Sequence, residues 1–364
     1  MSSAATISDV ARTAGVSVGT VSRVINGYTN ITPENLEKVQ NAIAALGYRK
    51  SHGTGPLVRR RSGSLIRTGN IGVLYTEMGP GWANHPLSAA YAQGIEEACL
   101  ARGYHALSEI LLDPQTLPRC LRERKVDGLL VKATRKYPDI LRDLPPDFPV
   151  VGLSFTDPTS PVAKVAPDNR GAGFIVAEYL WKKGHRRIAF FSTDSLHPMF
   201  VARFQGYEEF MRIQDAFDPG RALVGGRPVV KNSPETTPPD VEQELDALLA
   251  CPPSERPTAI VTANDWIAKG LYAALARRGL RVPDDVSVVG FDNSEPLCDL
   301  MAPPLTSYAI PFTAAARTAT LALIDRIEKP GQRHEPGIQL VSGALVERQS
   351  VRPLPPVATP PLHP

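Results

Sequence analysis

The stretch Gly15-Val16-Ser17-Val18-Gly19-Thr20-Val21-Ser22-Arg23-Val24-Ile25-Asn26 decides the fold. Ile7, Val10 and Ala11 recur at helical spacing before Gly15, which can take the positive φ that ends a helix. Ser17 is then placed to cap a second helix by accepting from an exposed backbone N–H. Val21, Val24 and Ile25 give that second helix one apolar face. A third helix is expected from Thr32 as N-cap and Pro33 at N1, with Leu36, Val39, Ile43 and Leu46 on one stripe and Gly47 closing it. Three short helices with a Gly-containing turn between the first two form a helix-turn-helix unit. Its second helix turns Val18, Gly19, Thr20, Ser22, Arg23 and Asn26 away from the core. These side chains are small, polar or cationic, as insertion into a DNA major groove requires.

The run Thr6 to Tyr48, TISDVARTAGVSVGTVSRVINGYTNITPENLEKVQNAIAALGY, resembles the headpiece of the lactose/galactose-repressor family nearly residue for residue. That resemblance implies a dimeric, ligand-regulated transcription factor on double-stranded DNA.

Charge is distributed as such a role demands. The 364 residues carry a net +3, yet residues 1–67 hold nine Lys/Arg against three acids, a net +6, and the remainder is net −3. A basic head on a slightly acidic body is the footprint of a DNA-binding arm. No apolar run approaches the ~20 residues that span a bilayer, and the start Met-Ser-Ser-Ala-Ala-Thr lacks the features of an export signal. Cys99, Cys120, Cys251 and Cys298 have no paired spacing, so reduced thiols in a cytoplasmic protein are expected.

The linker 49–70, RKSHGTGPLVRRRSGSLIRTGN, holds Gly53, Gly55, Pro56 and Gly63, which argue against a stable free helix. The resemblance implies a hinge helix here that wedges a leucine into the minor groove. Leu57 and Leu65 are the candidates, flanked by Arg59 to Arg61 on phosphates. The family's usual Pro-Asn after the tyrosine and its Ala-Arg-Ser-Leu pattern are absent. A flexible basic tether is the other reading.

From residue 70, short apolar strands alternate with amphipathic helices. Strands are expected at 71–75, 105–112, 128–131, 150–153, 164–166, 187–191, 259–262 and 286–291. Helices are expected near 87–102, 115–124, 171–183, 200–212, 241–250 and 266–278. The stretch 218–240 reads as loop around a possible strand at 228–230. Two such series make two doubly wound parallel-sheet lobes with a cleft beyond the strand ends. The fold class is therefore α/β: an all-α helix-turn-helix headpiece plus a core that resembles periplasmic binding proteins.

The expected division is a headpiece at 1–50, a basic linker at 51–69, a ligand-sensing core at 70–351 and a Pro-rich tail at 352–364. The resemblance implies three crossings between lobes, near 163–168, 292–310 and 328–338. One lobe would comprise roughly 70–165 plus 310–328, and the other 166–292 plus 338–351.

The same resemblance nominates the effector site. Arg203, in Ala202-Arg203-Phe204-Gln205-Gly206-Tyr207, matches an arginine that grips ligand oxygens, or it pairs with an acid on the cleft wall. Asn264 and Asp292 follow strand ends and match ligand contacts. Asp168 either contacts ligand or caps the helix after it, whereas Asp265 is read as a helix cap. Trp82 and Trp266 can stack on a ring or simply pack, and His185 is read as structural. A neutral polyhydroxyl ligand needs bidentate partners and an apolar face, and the resemblance implies a sugar effector that releases DNA as the first expectation. Corepression by a non-sugar metabolite such as a nucleobase is the alternative. No hydrolase, zinc or phosphate-loop motif occurs, so no catalytic residue, metal or cofactor is expected. A homodimer reading a near-palindromic operator is expected.

Overall fold

The computed structural model describes residues 5–25, 31–46, 59–61, 64–225, 241–331 and 335–355. It divides into two units, 1–56 and 57–364. Asn26, Gly47, Leu57 and the possible strand at 228–230 lie outside the described residues.

The first unit is three helices: α1 (Ile7–Ala14), α2 (Val18–Ile25) and α3 (Pro33–Ala45). Thr6 and Asp9 form a reciprocal capping box at α1, and Gly15 ends that helix at φ +64°. Ser17 Oγ accepts from Thr20 N–H (3.1 Å) and caps α2. Thr32 Oγ1 accepts from Asn35 N–H (3.4 Å) ahead of Pro33. The core is Val10, Ala11, Ala14, Val21, Val39 and Ala42. Each fully buried valine contributes about 1.5–3 kcal/mol over leaving it in water. The expected α3 stripe shifts: Val39, Ala42 and Ile43 face the core, while Leu36 and Leu46 at the helix ends are exposed. So small a bundle covers only the middle of its longest helix.

The linker carries a short antiparallel hairpin, β1 (Arg59–Arg61) with β2 (Ser64–Ile66), registered Arg59↔Ile66 and Arg61↔Ser64. Its described residues are thus neither helical nor a featureless tether. Next, Arg67 donates to the carbonyls of Ile327 and Glu328, and both Asp127 carboxylate oxygens accept from the backbone at Thr68 and Gly69.

The core strands follow in order. They are β3 (Asn70–Thr76), β4 (His105–Leu111), β5 (Gly128–Lys132), β6 (Val150–Leu153), β7 (Lys164–Pro167), β8 (Ile188–Ser192), β9 (Ala222–Val224), β10 (Ala259–Thr262), β11 (Ser287–Phe291), β12 (Thr306–Ala309), β13 (Ile338–Val341) and β14 (Ala344–Val346). Two six-stranded sheets result, ordered β13-β7-β6-β5-β3-β4 and β14-β12-β11-β10-β8-β9. Every pair is parallel except β12 with β14. Strands β5, β6, β8, β10 and β11 are buried throughout, as sheets covered on both faces require.

The covering helices are α4 (Pro86–Arg102), α5 (Arg119–Arg122), α6 (Asn169–Lys182), α7 (Pro198–Ile213), α8 (Glu242–Leu249), α9 (Asp265–Arg277), α10 (Leu297–Leu300) and α11 (Phe312–Glu328). The helix expected over 115–124 shrinks to α5. Pro118 bars an earlier start, and the Glu109 carboxylate accepts from the backbone of Arg119 and Cys120. In the second lobe α6 and α7 pack glycine to backbone. A Cβ on Gly173 would come within 1.9 Å of Arg203 O, and one on Gly206 within 1.9 Å of Arg170 O. That close approach fixes where α7 presents Arg203.

The alternating α/β architecture stands as expected, but the boundaries move. β9 falls in a stretch read as loop. β13 pairs with β7 and so belongs to the first sheet, although 338–351 was assigned whole to the second lobe. The third crossing therefore lies at 342–343, between β13 and β14, rather than at 328–338. Among the described residues, no helix is long and apolar enough to cross a membrane.

Candidate functional site

Arg203 is the largest side chain buried to below 2% exposure. Its guanidinium donates from Nε to Asn169 Oδ1 (2.9 Å), from Nη1 to the Ala263 carbonyl (2.6 Å) and from Nη2 to Asp292 Oδ1 (2.7 Å). It also lies 4.9 Å from the Phe291 ring centroid. Three strand ends and two helices thus converge on one cation. The pairing of Arg203 with an acid on the cleft wall is present, and its partner is Asp292, another nominated residue. Asp292 is 10% exposed and sits at φ +99°, a strained conformation that its backbone N–H to Tyr308 O (2.9 Å) helps to hold.

The two flanking candidates are helix caps. Asn264 Oδ1 accepts from Ile267 N–H (2.8 Å) at the start of α9, and Asp168 Oδ1 accepts from Gly171 N–H (2.8 Å) at the start of α6. Asp265, read as the α9 cap, instead lies one residue inside that helix. Its buried carboxylate accepts from Ser307 Oγ (2.7 Å), Ser294 N (2.7 Å) and Cys298 Sγ (3.3 Å). Burial and the nearby Asp292 charge push its pKa well up. His185 is fully buried, with Nδ1 on Thr258 Oγ1 (2.9 Å) and Nε2 on the Arg352 carbonyl (3.1 Å), consistent with the structural reading. Burial lowers its pKa to about 4.

The first lobe supplies an aromatic wall. Trp82, in a turn of 3₁₀ helix after β3, lies 5.6 Å from Tyr75, 5.0 Å from His85 and 6.0 Å from Tyr91, centroid to centroid. Tyr91 donates to Ser154 Oγ (2.8 Å) and packs on Phe312. The Arg203 and Asp292 charges both act on the Tyr91 phenol, which ties this wall to the Arg203 cluster. Trp266 is not part of it. Its ring carries the Lys269 ammonium at 5.2 Å, and its indole N–H is buried without a partner. Where the lobes meet at the first crossing, a pocket of about 170 Å³ is lined from one side by Thr134, Ser154 and Phe155 and from the other by Asn169, Pro198 and Met199.

Sequence reasoning missed three groups. Asn169 orients the Arg203 Nε, and nothing local in the sequence marks it. Lys132 ends β5 at 2% exposure, with its ammonium 5.1 Å from the Tyr91 ring centroid and 5.8 Å from that of Trp82. A lysine closing the apolar run Gly128–Val131 was the available signal. His197, directly before α7, leaves Nδ1 buried without a partner. Burial and the Arg203 charge lower its pKa to about 4.

In the headpiece, Val18, Gly19 and Arg23 are exposed, and Thr20 and Ser22 are half-buried on the same helix. The helix whose apolar side is Val21 therefore offers its polar side outward.

A helix-turn-helix headpiece followed by a two-lobed sensor of this topology defines a ligand-responsive DNA-binding transcriptional regulator. Residues 6–51 match the model for bacterial regulatory proteins of the lacI family, and residues 177–351 match a periplasmic binding protein-like domain. The chain is 30% identical over 357 residues to the HTH-type transcriptional repressor PurR of Vibrio cholerae serotype O1 (strain M66-2), covering 96% of this chain and 99% of that one. It is similar to the transcriptional regulator CelR in complex with cellobiose (TM-score 0.62, 26% identity, 95% and 99% covered). It also shares the fold of the lac repressor dimer bound to operator and the anti-inducer ONPF (TM-score 0.61, 23% identity, 96% and 100% covered). The chain belongs to the LacI family of transcriptional repressors and is not an enzyme.

Proposed function

We propose that this repressor acts in the cytoplasm as a homodimer on a near-palindromic operator, with a nucleobase as corepressor. The observation that carries the effector reading is the near full-length likeness to repressors named PurR. The site suits a planar heterocycle. Arg203 and Asp292 set a donor and an acceptor side by side, and Trp82, half-buried against Tyr75 and Tyr91, offers an aromatic face. A sugar that releases DNA, the first expectation from sequence, keeps one specific support in the CelR–cellobiose likeness. Ligand binding that favours one arrangement of the lobes shifts DNA affinity by its difference in affinity between states.

Val18, Gly19 and Arg23 read base edges in this proposal, and Thr20 and Ser22 contact phosphates. Arg23→Ala is expected to weaken operator binding by about 1–3 kcal/mol while leaving random-sequence binding nearly unchanged. Equal loss on both would remove its base-reading role. The effector is tested by capturing genomic fragments on the purified protein with and without purine bases, and again with cellobiose. Retention of a palindrome only with a base supports corepression. Retention that cellobiose abolishes would replace it with induction by a sugar.

A further inference from the structure

We propose that the effector carries a negatively charged group, a carboxylate or a phosphate, that seats against Lys132 of the first lobe and His197 of the second. This rests on the effector-sensing reading of the cleft and narrows the ligand to an acidic one.

Lys132 is the starting point. An ammonium has three donors and no acceptor, yet this one makes a single hydrogen bond, to the Ala133 carbonyl at 3.0 Å. It is enclosed by the Tyr91 and Trp82 rings. Among the described residues, no carboxylate forms an ion pair with it. Glu77 is the acid that acts on it, but Glu77 Oε2 already accepts from Thr134 N (3.0 Å) and Arg135 N (2.6 Å), and its side chain is exposed. An isolated buried cation is costly and is retained where a partner completes it.

The opposite wall presents a neutral imidazole in the field of three cations. His197 lies within electrostatic reach of Arg203, Lys132 and Arg135, with Asp194 as the acid acting on it. Asp194 Oδ1 is engaged by Leu196 N–H at 2.7 Å. His197 has a buried, unpartnered Nδ1 and makes no side-chain cap to α7, whose first turn starts at Pro198. A helix N-terminus adds a further positive end to this spot. Arg203 differs from both groups, because Asp292 already neutralises it. A neutral base or sugar would meet the Arg203–Asp292 pair but leave the Lys132 ammonium uncompensated. An anion between the lobes pairs with Lys132 and accepts a hydrogen bond from the neutral His197 ring.

Protonation supplies a readout. Burial holds Lys132 down to about 7 and His197 to about 4. The groups that face them are Glu77, Tyr91, Arg135, Asp194 and Arg203. An arriving anion raises the Lys132 pKa, so binding near neutral pH takes up a proton.

The test is calorimetric titration of the full-length protein at pH 7.5, in two buffers of different ionisation enthalpy. The probes are hypoxanthine, inosine 5′-monophosphate and purine-6-carboxylate, with glucose and glucose 6-phosphate as the non-purine pair. The expected result is that an acidic ligand binds at least about tenfold tighter than its neutral parent, with proton uptake. Lys132→Met and Lys132→Gln should erase that preference. The two purine acids distinguish carboxylate from phosphate. Hypoxanthine binding tighter than both acids, unmoved by Lys132→Met, overturns the inference and leaves the nucleobase reading standing. Glucose 6-phosphate alone binding, in a Lys132-dependent way, upholds the inference and overturns the nucleobase reading. Failure of every acidic probe to bind at millimolar concentration also counts against the inference. The wild-type comparison needs no variant to fold.

Discussion

The two lobes share a strand order, while the Arg203 cluster of the second and the Lys132 site of the first differ in how their polar groups are settled. In the second, the Arg203 guanidinium is held by Asn169, Ala263 and Asp292, and Asp265 accepts from three donors. In the first, Lys132 has one carbonyl, and Thr76, at the end of β3, has a buried hydroxyl without a partner. A settled network is preorganised and contributes to folding, whereas an unsettled group stores demand for a ligand. The Arg203 cluster therefore reads as the anchor of the site and Lys132 as its responsive part.

Substitutions can break that contrast. The largest effect is expected from Arg203→Ala, which removes the buried cation that Asn169, the Ala263 carbonyl and Asp292 all engage. Stability in urea should fall by about 3–5 kcal/mol. A loss below about 1 kcal/mol would mean that the network is not structural. Arg203→Lys should recover only part, because an ammonium cannot reach three partners in the guanidinium's fixed plane. Next come the caps. Asn264→Ala and Asp168→Ala should each cost about 1 kcal/mol in the same unfolding measurement. A loss of ligand affinity with unchanged stability would turn either residue from a cap into a contact. The smallest effect is expected from Lys132→Met. It removes an unpaired buried cation, so stability should change by less than about 0.5 kcal/mol or rise slightly. A large loss would show that Lys132 is as settled as Arg203 and erase the distinction between them.

What the sequence revealed follows from the range of the interactions involved. Thr6, Gly15, Ser17 and Thr32 act on backbone within four residues, so the headpiece helices and their caps are legible. The buried strands β5, β6, β10 and β11 announce themselves as short apolar runs. β13 does not. Ile338 and Leu340 are 44% and 51% exposed, and the strand exists only because it lies beside β7, far away in sequence. β9 is three half-buried residues and gives no periodicity to read. In the site, Arg203 and Asp292 were nominated separately, and their contact belongs to the tertiary fold. Asn264 and Asp168 each precede a helix, where a cap is the commoner use of their side chains. Lys132 was overlooked because one cation at the end of an apolar strand resembles an ordinary solvent-facing terminus.

The placement of β13 and β14 bears on how the molecule is made. β13 completes the edge beside β7, and β14 completes the edge beside β12, so one stretch of nine residues, Ile338 to Val346, closes both sheets. During synthesis both lobes keep an open strand edge until Ile338 to Val346 have emerged. Open edges invite pairing with other chains. A product broken off before Ile338 would therefore carry two unpaired borders, at β7 and at β12, rather than one finished lobe.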